Sequence, residues 1–294
     1  MLRMRSLSRR VSAKFGAIVI AALSLRCDPD FLILHPLEAA GAPMPYSTQN
    51  AAQFLEAAVV GKHALRNVDD NILAMGQMVD EILAAHPSTR LVVFGEDSLG
   101  FYYEPSAPST YKRAVAQPIP GPATDALGMI ARRHGIYLAF GMAELRGDTM
   151  YNAGVAIDPQ GQVIGVHTKG MLIDWDKESG FTERIDPTVV QIDGIRTGIR
   201  ICAESSSEAL TLAYVDARPE MMLSLQASFE PGPFTVDMMA RRLNAWTLFA
   251  NRVGEEGDVT YPGLVYISDP AGNTVVGDAK PTPRYHHTRI GIVR

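Results

Sequence analysis

Two stretches of this chain repeat one pattern: apolar residues at helical spacing, a short break, then an unbroken apolar run. From Asn71 to Ala85, the residues Ile72, Met75, Val79, Ile82 and Leu83 fall on one helical face. Asp69, Asp70 or Asn71 is available as a cap, and His86-Pro87 as a stop. Leu91 to Phe94 follows as a continuous apolar run, the pattern of a strand covered on both faces. After the PIPGP turn of Pro118 to Pro122, the pattern returns in Thr124 to Arg133 and Ile136 to Phe140. A helix followed by a doubly covered strand is half of a repeating α/β unit, so an α/β domain is predicted. With 294 residues, 47% of them hydrophobic, the chain is long enough for one large core of this kind.

The first 49 residues lack that rhythm and are predicted to form an extension, with the folded domain spanning residues 50–294. Arg3, Arg5, Arg9, Arg10 and Lys14 precede an apolar run from Phe15 to Leu25, which has the look of a signal peptide. That run has 11 residues, whereas a spanning helix needs about 20. Arg26-Cys27-Asp28 is a poor cleavage site, and the Ala-x-Ala triplet at Ala40 to Ala42 lies far downstream. Met44 is an alternative start, and both readings stay open. Cytoplasmic placement is expected, with export or membrane contact only if residues 1–25 act as a signal.

Elsewhere the sequence excludes more than it specifies. A net charge of −5, no basic run in the main body and no GxxxxGK loop argue against nucleic-acid or phosphate-loop binding. The 2 cysteines make no disulfide framework, and no CxxC or HExxH spacing offers a metal site, so neither metal nor cofactor is expected. Tyr151 to Ile157 and Gln162 to Val166 read as a hairpin about Asp158-Pro159-Gln160-Gly161. Val265 to Ile267 and Thr274 to Val276 read as another about Asp269-Pro270-Ala271-Gly272. Ala57 to Val60 reads as a short strand, Met238 to Phe249 as a helix and Thr288 to Val293 as a closing strand. His286 and His287, adjacent on a strand, would face opposite ways, which disfavours a shared metal.

Four positions are candidates for chemistry. In GIRTGIRICAESSSEAL, Gly194 to Leu210, Ile199 and Ile201 alternate as in a half-buried strand, and Cys202 stands where it stops. Ala203, Glu204 and the serines suit the first turn of a helix, whose positive end favours a thiolate. The plainer reading of Cys202 is a buried structural thiol. Glu96 closes the strand in VVFGEDSLGFYYEP, followed by Phe101 and two tyrosines, as a catalytic base in a pocket would. A loop carboxylate capping backbone N–H groups is the plainer alternative, and Asp97 is its neighbour and competitor. Glu144 in GMAEL stands just past a strand end, and Lys169 follows the second hairpin strand, where a lone lysine is normally a surface charge.

Taken together, GEDSLGFY, GMAEL, YNAGVAIDPQGQVIGVHTKGML, GIRTGIRICAES, ARRLNAWTLFANRVG and YPGLVYISDPAGNTV resemble the nitrilase superfamily of carbon–nitrogen hydrolases in order and spacing. The resemblance covers roughly residues 50–294. It implies a four-layer αββα sandwich, assembled as a homo-oligomer of two or more copies. It also implies a Glu–Lys–Cys set at Glu96, Lys169 and Cys202, with the N–H of Ala203 beside Lys169 at the oxyanion. The family's second, substrate-positioning glutamate is matched to Glu144, although a carboxylate pinning the loop around Lys169 fits that position equally. Phe229, with Phe101 and Tyr102, is expected to line the acyl side of the site.

The chain also departs from the family. Ala203 stands where an aromatic is frequent, Ser205, Ser206 and Ser207 replace the usual Phe-Pro region, and QASFE, Gln226 to Glu230, lacks a tryptophan. The resulting expectation is a thiol hydrolase of a small amide or carbamoyl-amine. A nitrilase, an apolipoprotein N-acyltransferase-like enzyme and a silent binding module are its rivals. Intact Glu96, Lys169 and Cys202 count against the silent module.

Overall fold

The computed structural model describes residues 45–229 and 237–294. The signal-like run, Cys27, the Ala-x-Ala triplet and Glu230 lie outside them.

In chain order the elements begin with strand β1 (Gln53–Lys62), helix α1 (Val68–Ala85) and strand β2 (Leu91–Val93). Two helices, α2 (Pro108–Val115) and α3 (Pro122–His134), lead to β3 (Tyr137–Arg146), β4 (Thr149–Ile157) and β5 (Val163–Thr168). A short helix α4 (Asp174–Glu178) precedes β6 (Thr188–Ile192) and β7 (Ile195–Ile201). A 3-10 turn (Cys202–Ser206), α5 (Glu208–Ala217), β8 (Met221–Leu225), α6 (Met238–Leu243) and β9 (Trp246–Arg252) follow. The hairpin β10 (Gly254–Glu256) and β11 (Val259–Tyr261) then leads to β12 (Leu264–Ser268), β13 (Thr274–Ala279) and β14 (Arg284–Ile292).

Strands run in the order β5-β4-β3-β2-β1-β9-β8-β7-β6 along one 12-stranded path, with β14 added beside β1 and β12-β13 beside β9. The path is continuous only through a short parallel contact, Gly61 with Asn251 and Lys62 with Arg252. On either side of that seam the strands form two sheets lying face to face. Alternation along β1 shows how one strand serves two layers. Leu55, Ala57 and Val59 enter the core between the sheets, against Ile199, Ile201, Leu223 and Leu225. Ala58 and Val60 point the other way, into the core beneath α1 and α3 with Met75, Val79, Ile82 and Leu127. On the far face of the second sheet, α5 and α6 pack through Leu210, Tyr214 and Leu243 on Met222. The fold is thus a four-layer αββα sandwich.

Local pattern and structure agree on both helix–strand units, with small differences at the ends. Asn67, not Asp69, Asp70 or Asn71, caps α1, accepting from the Asp70 N–H at 2.8 Å. Asn71 is instead fully buried. The helix expected over Met238 to Phe249 ends at Leu243, because Asn244 turns left-handed at φ 49°. Trp246 to Ala250 then becomes the first part of β9, paired with β8 and β12. His286 and His287 do face different partners, Asp278 at 3.0 Å and Glu56 at 3.5 Å.

Residues just after Met44 already belong to the domain. Tyr46 packs edge-on against Trp246 with ring centroids 5.7 Å apart, and the Ala52 N–H donates to the Ile292 carbonyl at 2.8 Å. A chain beginning at Met44 is therefore expected to match the full chain in melting temperature and in turnover. Insolubility, or loss of most activity, would place the extension inside the domain.

Candidate active site

Glu96 lies just past β2, on a loop that crosses β3 at its middle. Gly141 makes that crossing possible, since a Cβ there would stand 2.6 Å from the Glu96 Cα. Three buried cations take up the carbonyls of this loop. The Arg252 guanidinium donates to the Glu96 carbonyl at 2.8 Å, the Asp97 carbonyl at 2.7 Å and the Gly100 carbonyl. Lys62 donates to the Ser98 carbonyl at 3.3 Å, and Lys112 to the Phe101 carbonyl. Burial, with help from Arg252, pushes the Lys62 ammonium down to about 7. Arg252 in turn pairs with Glu256, which accepts from the Tyr102 N–H at 2.9 Å. Buried N–H and C=O groups need partners, and here they hold an irregular loop in one shape.

The two carboxylates of that loop take different roles. Asp97 pairs with the buried Lys112. Glu96, fully buried, accepts from the Lys169 ammonium at 2.8 Å and from the Asn152 amide at 2.7 Å, both on Oε1. Lys169 also reaches Asp176 at 2.7 Å. Asp176 accepts from the Tyr102 hydroxyl at 3.1 Å, and its other contacts are Asn152 at 3.2 Å and the Ile173 N–H at 3.0 Å. Glu96, Lys169 and Asp176 thus form a fully buried triad in which one cation balances two carboxylates.

Burial raises the Glu96 carboxyl above its ordinary value, Lys169 pulls it back and the Asp176 charge adds to the rise. Burial alone would lower the Lys169 ammonium, but Asp176 and Glu96 outweigh it and hold it above its ordinary value. Lys169 is therefore a fixed cation at neutral pH.

Cys202 begins its turn at φ 42°, a left-handed conformation that costs a non-glycine residue of the order of 1–3 kcal/mol. It is half-buried at the end of β7, within the fields of Glu96, Lys169 and Asp176. The expected helix start is different here. A 3-10 turn follows Cys202, and α5 begins only at Glu208, with Ser207 as its cap through Leu210 N–H at 3.3 Å. No long helix dipole acts on the sulfur. Burial and the Glu96 charge raise the thiol, against the pull of Lys169 and of the Ala227 backbone. Cys202 is thus a protonated thiol at rest and needs a base at the moment of attack.

Glu204 joins the two loops that carry Lys169 and Cys202. Its carboxylate accepts from the Gly170 N–H at 2.6 Å and the Ile201 N–H at 2.6 Å, and lies 2.8 Å from His167 Nε2.

Glu144 does not join this centre. Register places Ala143 opposite Asn152 and Glu144 opposite Tyr151, so Asn152 and Glu144 face opposite sides of the sheet. Glu144 instead pairs with Arg146 at 2.8 Å, and that guanidinium lies over the Tyr151 ring. The carboxylate beside Lys169 is Asp176. Three acids, Asp174, Asp176 and Glu178, follow Lys169 closely in sequence, and only the turn of α4 selects the middle one. Phe101 also lies apart, packed on Tyr111 and beneath Arg66. Tyr102 and Phe229 do share one cluster, with Trp175 and Tyr261. Ala203 is buried directly after Cys202.

The described residues hold no cluster of metal-binding side chains. The model of the family described as carbon-nitrogen hydrolase matches residues 56–283. A Pyrococcus abyssi protein named nitrilase is 32% identical over 165 residues, 53% of this chain and 60% of that protein. Saccharomyces cerevisiae Nit3, described as a member of branch 10 of the nitrilase superfamily, shares the fold with a TM-score of 0.72 at 18% identity, over 84% of this chain and 93% of that one. A variant amidase from Nesterenkonia sp. AN1 gives 0.68 at 18% identity over 84% and 94% of the two chains. Its structure shows covalent addition of the acetamide moiety of fluoroacetamide at the active site cysteine. The chain belongs to the carbon-nitrogen hydrolase family, within the nitrilase superfamily.

Proposed function

We propose that this protein hydrolyses the carbon–nitrogen bond of a small amide or carbamoyl-amine through a thioester on Cys202. The observation that carries this reading is the fully buried Glu96–Lys169–Asp176 triad beside a half-buried thiol, with one Glu96 oxygen, Oε2, left without a partner. That free oxygen is the one available to a proton.

In this reading Cys202 Sγ attacks the carbonyl carbon while Glu96 takes the thiol proton. Lys169 and the Ala203 N–H hold the oxygen that becomes negative. The tetrahedral intermediate collapses, the C–N bond breaks, and Glu96 returns the proton to the leaving amine. Water then attacks the thioester with Glu96 again as base, which releases the acid and restores the thiol. Asp176 and Asn152 keep Lys169 and Glu96 aligned through both halves of the cycle. The covalent adduct on the Nesterenkonia amidase supports the same chemistry.

The test is ammonia release over a panel of amides, carbamoyl-amines and nitriles, with Cys202→Ala as the blank. Release from amides or carbamoyl-amines is the expected result. Release from nitriles alone would make the protein a nitrilase, and silence across the panel from folded protein would overturn the reading.

Phe229 is expected to set acyl size, because its ring stands edge-on to Trp175 at 5.4 Å and stacks on Tyr261 at 5.0 Å. Phe229→Ala should raise kcat/KM for branched or longer acyl chains relative to acetamide by about tenfold, the scale set by one or two methylenes in an apolar pocket. Equal losses on all substrates, with a lower melting temperature, would make Phe229 a packing residue only.

A further inference from the structure

Among the described residues, the polar atoms buried around the catalytic centre without a hydrogen-bond partner include Glu96 Oε2, Asn152 Oδ1 and the Tyr261 hydroxyl. The first two are acceptors, and the mechanism above already uses Glu96 Oε2. The Tyr261 hydroxyl is different, since it is a donor. Buried polar groups in folded proteins are nearly always paired, so an orphan phenol beside the catalytic groups marks a place for a ligand atom.

The surroundings of Tyr261 indicate which part of a ligand this is. Tyr261 ends strand β11, opposite Gly254 on β10, and none of its side chain is exposed. Its ring stacks on Phe229 with centroids 5.0 Å apart, and the Arg252 guanidinium lies 5.6 Å from its centre. The hydroxyl is therefore aimed by packing, without a polar tether. Ala227, whose backbone lowers the Cys202 thiol, belongs to the same apolar cluster. Burial, followed by the Glu256 charge, holds the phenol well above its ordinary value, so it stays protonated. Its own field includes both Glu96 and Cys202.

We infer that the Tyr261 hydroxyl is a substrate-positioning donor on the acyl side of Cys202, selecting acyl groups that carry a hydrogen-bond acceptor such as an ether or carbonyl oxygen. This rests on the hydrolase reading above. Phe229 and its neighbours bind the carbon skeleton, and Tyr261 supplies the one directional contact that distinguishes an oxygen from a methylene. A site built to hydrogen-bond a substrate group discriminates more sharply than an apolar wall, because the unmatched analogue leaves a buried polar group unpaired.

The experiment uses isosteric pairs that differ only by oxygen for methylene: methoxyacetamide against butyramide, and 3-methoxypropionamide against valeramide. The corresponding nitriles are run beside them. Wild type and Tyr261→Phe, which keeps the stacked ring, are compared by KM, kcat and thermal melt. The expected result is a KM raised by about 3- to 10-fold for at least one ether substrate, the scale of one neutral hydrogen bond. KM for its all-carbon partner, kcat and the melt should stay unchanged.

An equal fall in kcat on both members of each pair would place the hydroxyl on the reacting oxygen and overturn acyl selection. Unchanged kinetics would mean that water satisfies it, and equal losses with a lowered melt would make it structural. Both overturn the proposal while leaving the hydrolase reading intact. Failure of the wild type to turn over any amide or nitrile would overturn both.

Discussion

Cys202→Ala is expected to remove turnover on every substrate of the panel, by about a million-fold, the scale for removing the nucleophile of a catalytic unit. The protein should remain folded. A thiol-to-hydrogen change is small, Cys202 is only half-buried, and its φ of 42° is no worse for alanine than for cysteine. Glu96→Gln should be nearly as inactive for a separate reason. The glutamine carbonyl can keep both contacts that Oε1 accepts, from Lys169 and Asn152, and its amide fills the unpartnered position. The shape survives, but proton transfer does not. Intact-mass spectra with a slow substrate test the thioester directly. Wild type should carry an acyl adduct, and Cys202→Ala should carry none. More than trace turnover by Cys202→Ala would sink the mechanism.

Lys169→Ala should cost both activity and stability. Losing a cation aimed at the developing oxyanion typically lowers kcat by about 10²–10³. Removing it also leaves Glu96 and Asp176 buried together without a counter-charge, which for a broken buried pair costs about 3–5 kcal/mol. The pH dependence follows from Glu96. Its carboxyl is already raised by burial with Lys169 present, and without the lysine the rise grows. A carboxyl raised in the folded state binds more protons there than in the unfolded chain. Its favourable contribution is complete below the ordinary value of 4.5 and is lost as pH climbs through the folded value.

The deficit of Lys169→Ala against wild type should therefore shrink as pH falls from 7 toward 5. In the wild type Lys169 is raised, so its own contribution is complete below the ordinary value of 10.5 and persists through neutral pH. Urea midpoints of both proteins at pH 5 and 7 decide this. A deficit equal or larger at pH 5 would mean that the two carboxylates are not what destabilises the variant.

The parts of the fold that were legible in the sequence are those written within one or two turns of chain. The faces of α1 and α3 follow from side chains three and four residues apart, and β2 from an unbroken apolar run. Both Asp-Pro turns are local too: Asp158 accepts from the N–H groups of Gln160 and Gln162 at 2.9 and 2.8 Å, and Asp269 from that of Asn273 at 2.9 Å. The positions of Glu96 and Cys202 at strand ends could be read the same way. So could Lys169, although the strand before it runs on through His167 and Thr168.

Tertiary structure alone decided which of these residues meet. Glu96 and Lys169 are 73 residues apart and touch because the β2–β3–β4–β5 register brings their strand ends together. Glu144 reads as a site residue because GMAEL places it just past the apolar strand run and matches the family's second glutamate, whereas β3 runs on through it. Which face it uses depends on pairing with β4, and a period of 2 puts it opposite Asn152's side. The end of α6 at Asn244 was hidden for a related reason, since Trp246 to Phe249 satisfies an apolar helical pattern until β8 and β12 claim it as a strand. Asp176 and the Tyr261 hydroxyl were beyond local reading altogether. A sequence fixes what each side chain can donate, accept or bury, but partners come from register and sheet face. Those are set by contacts that span the whole chain.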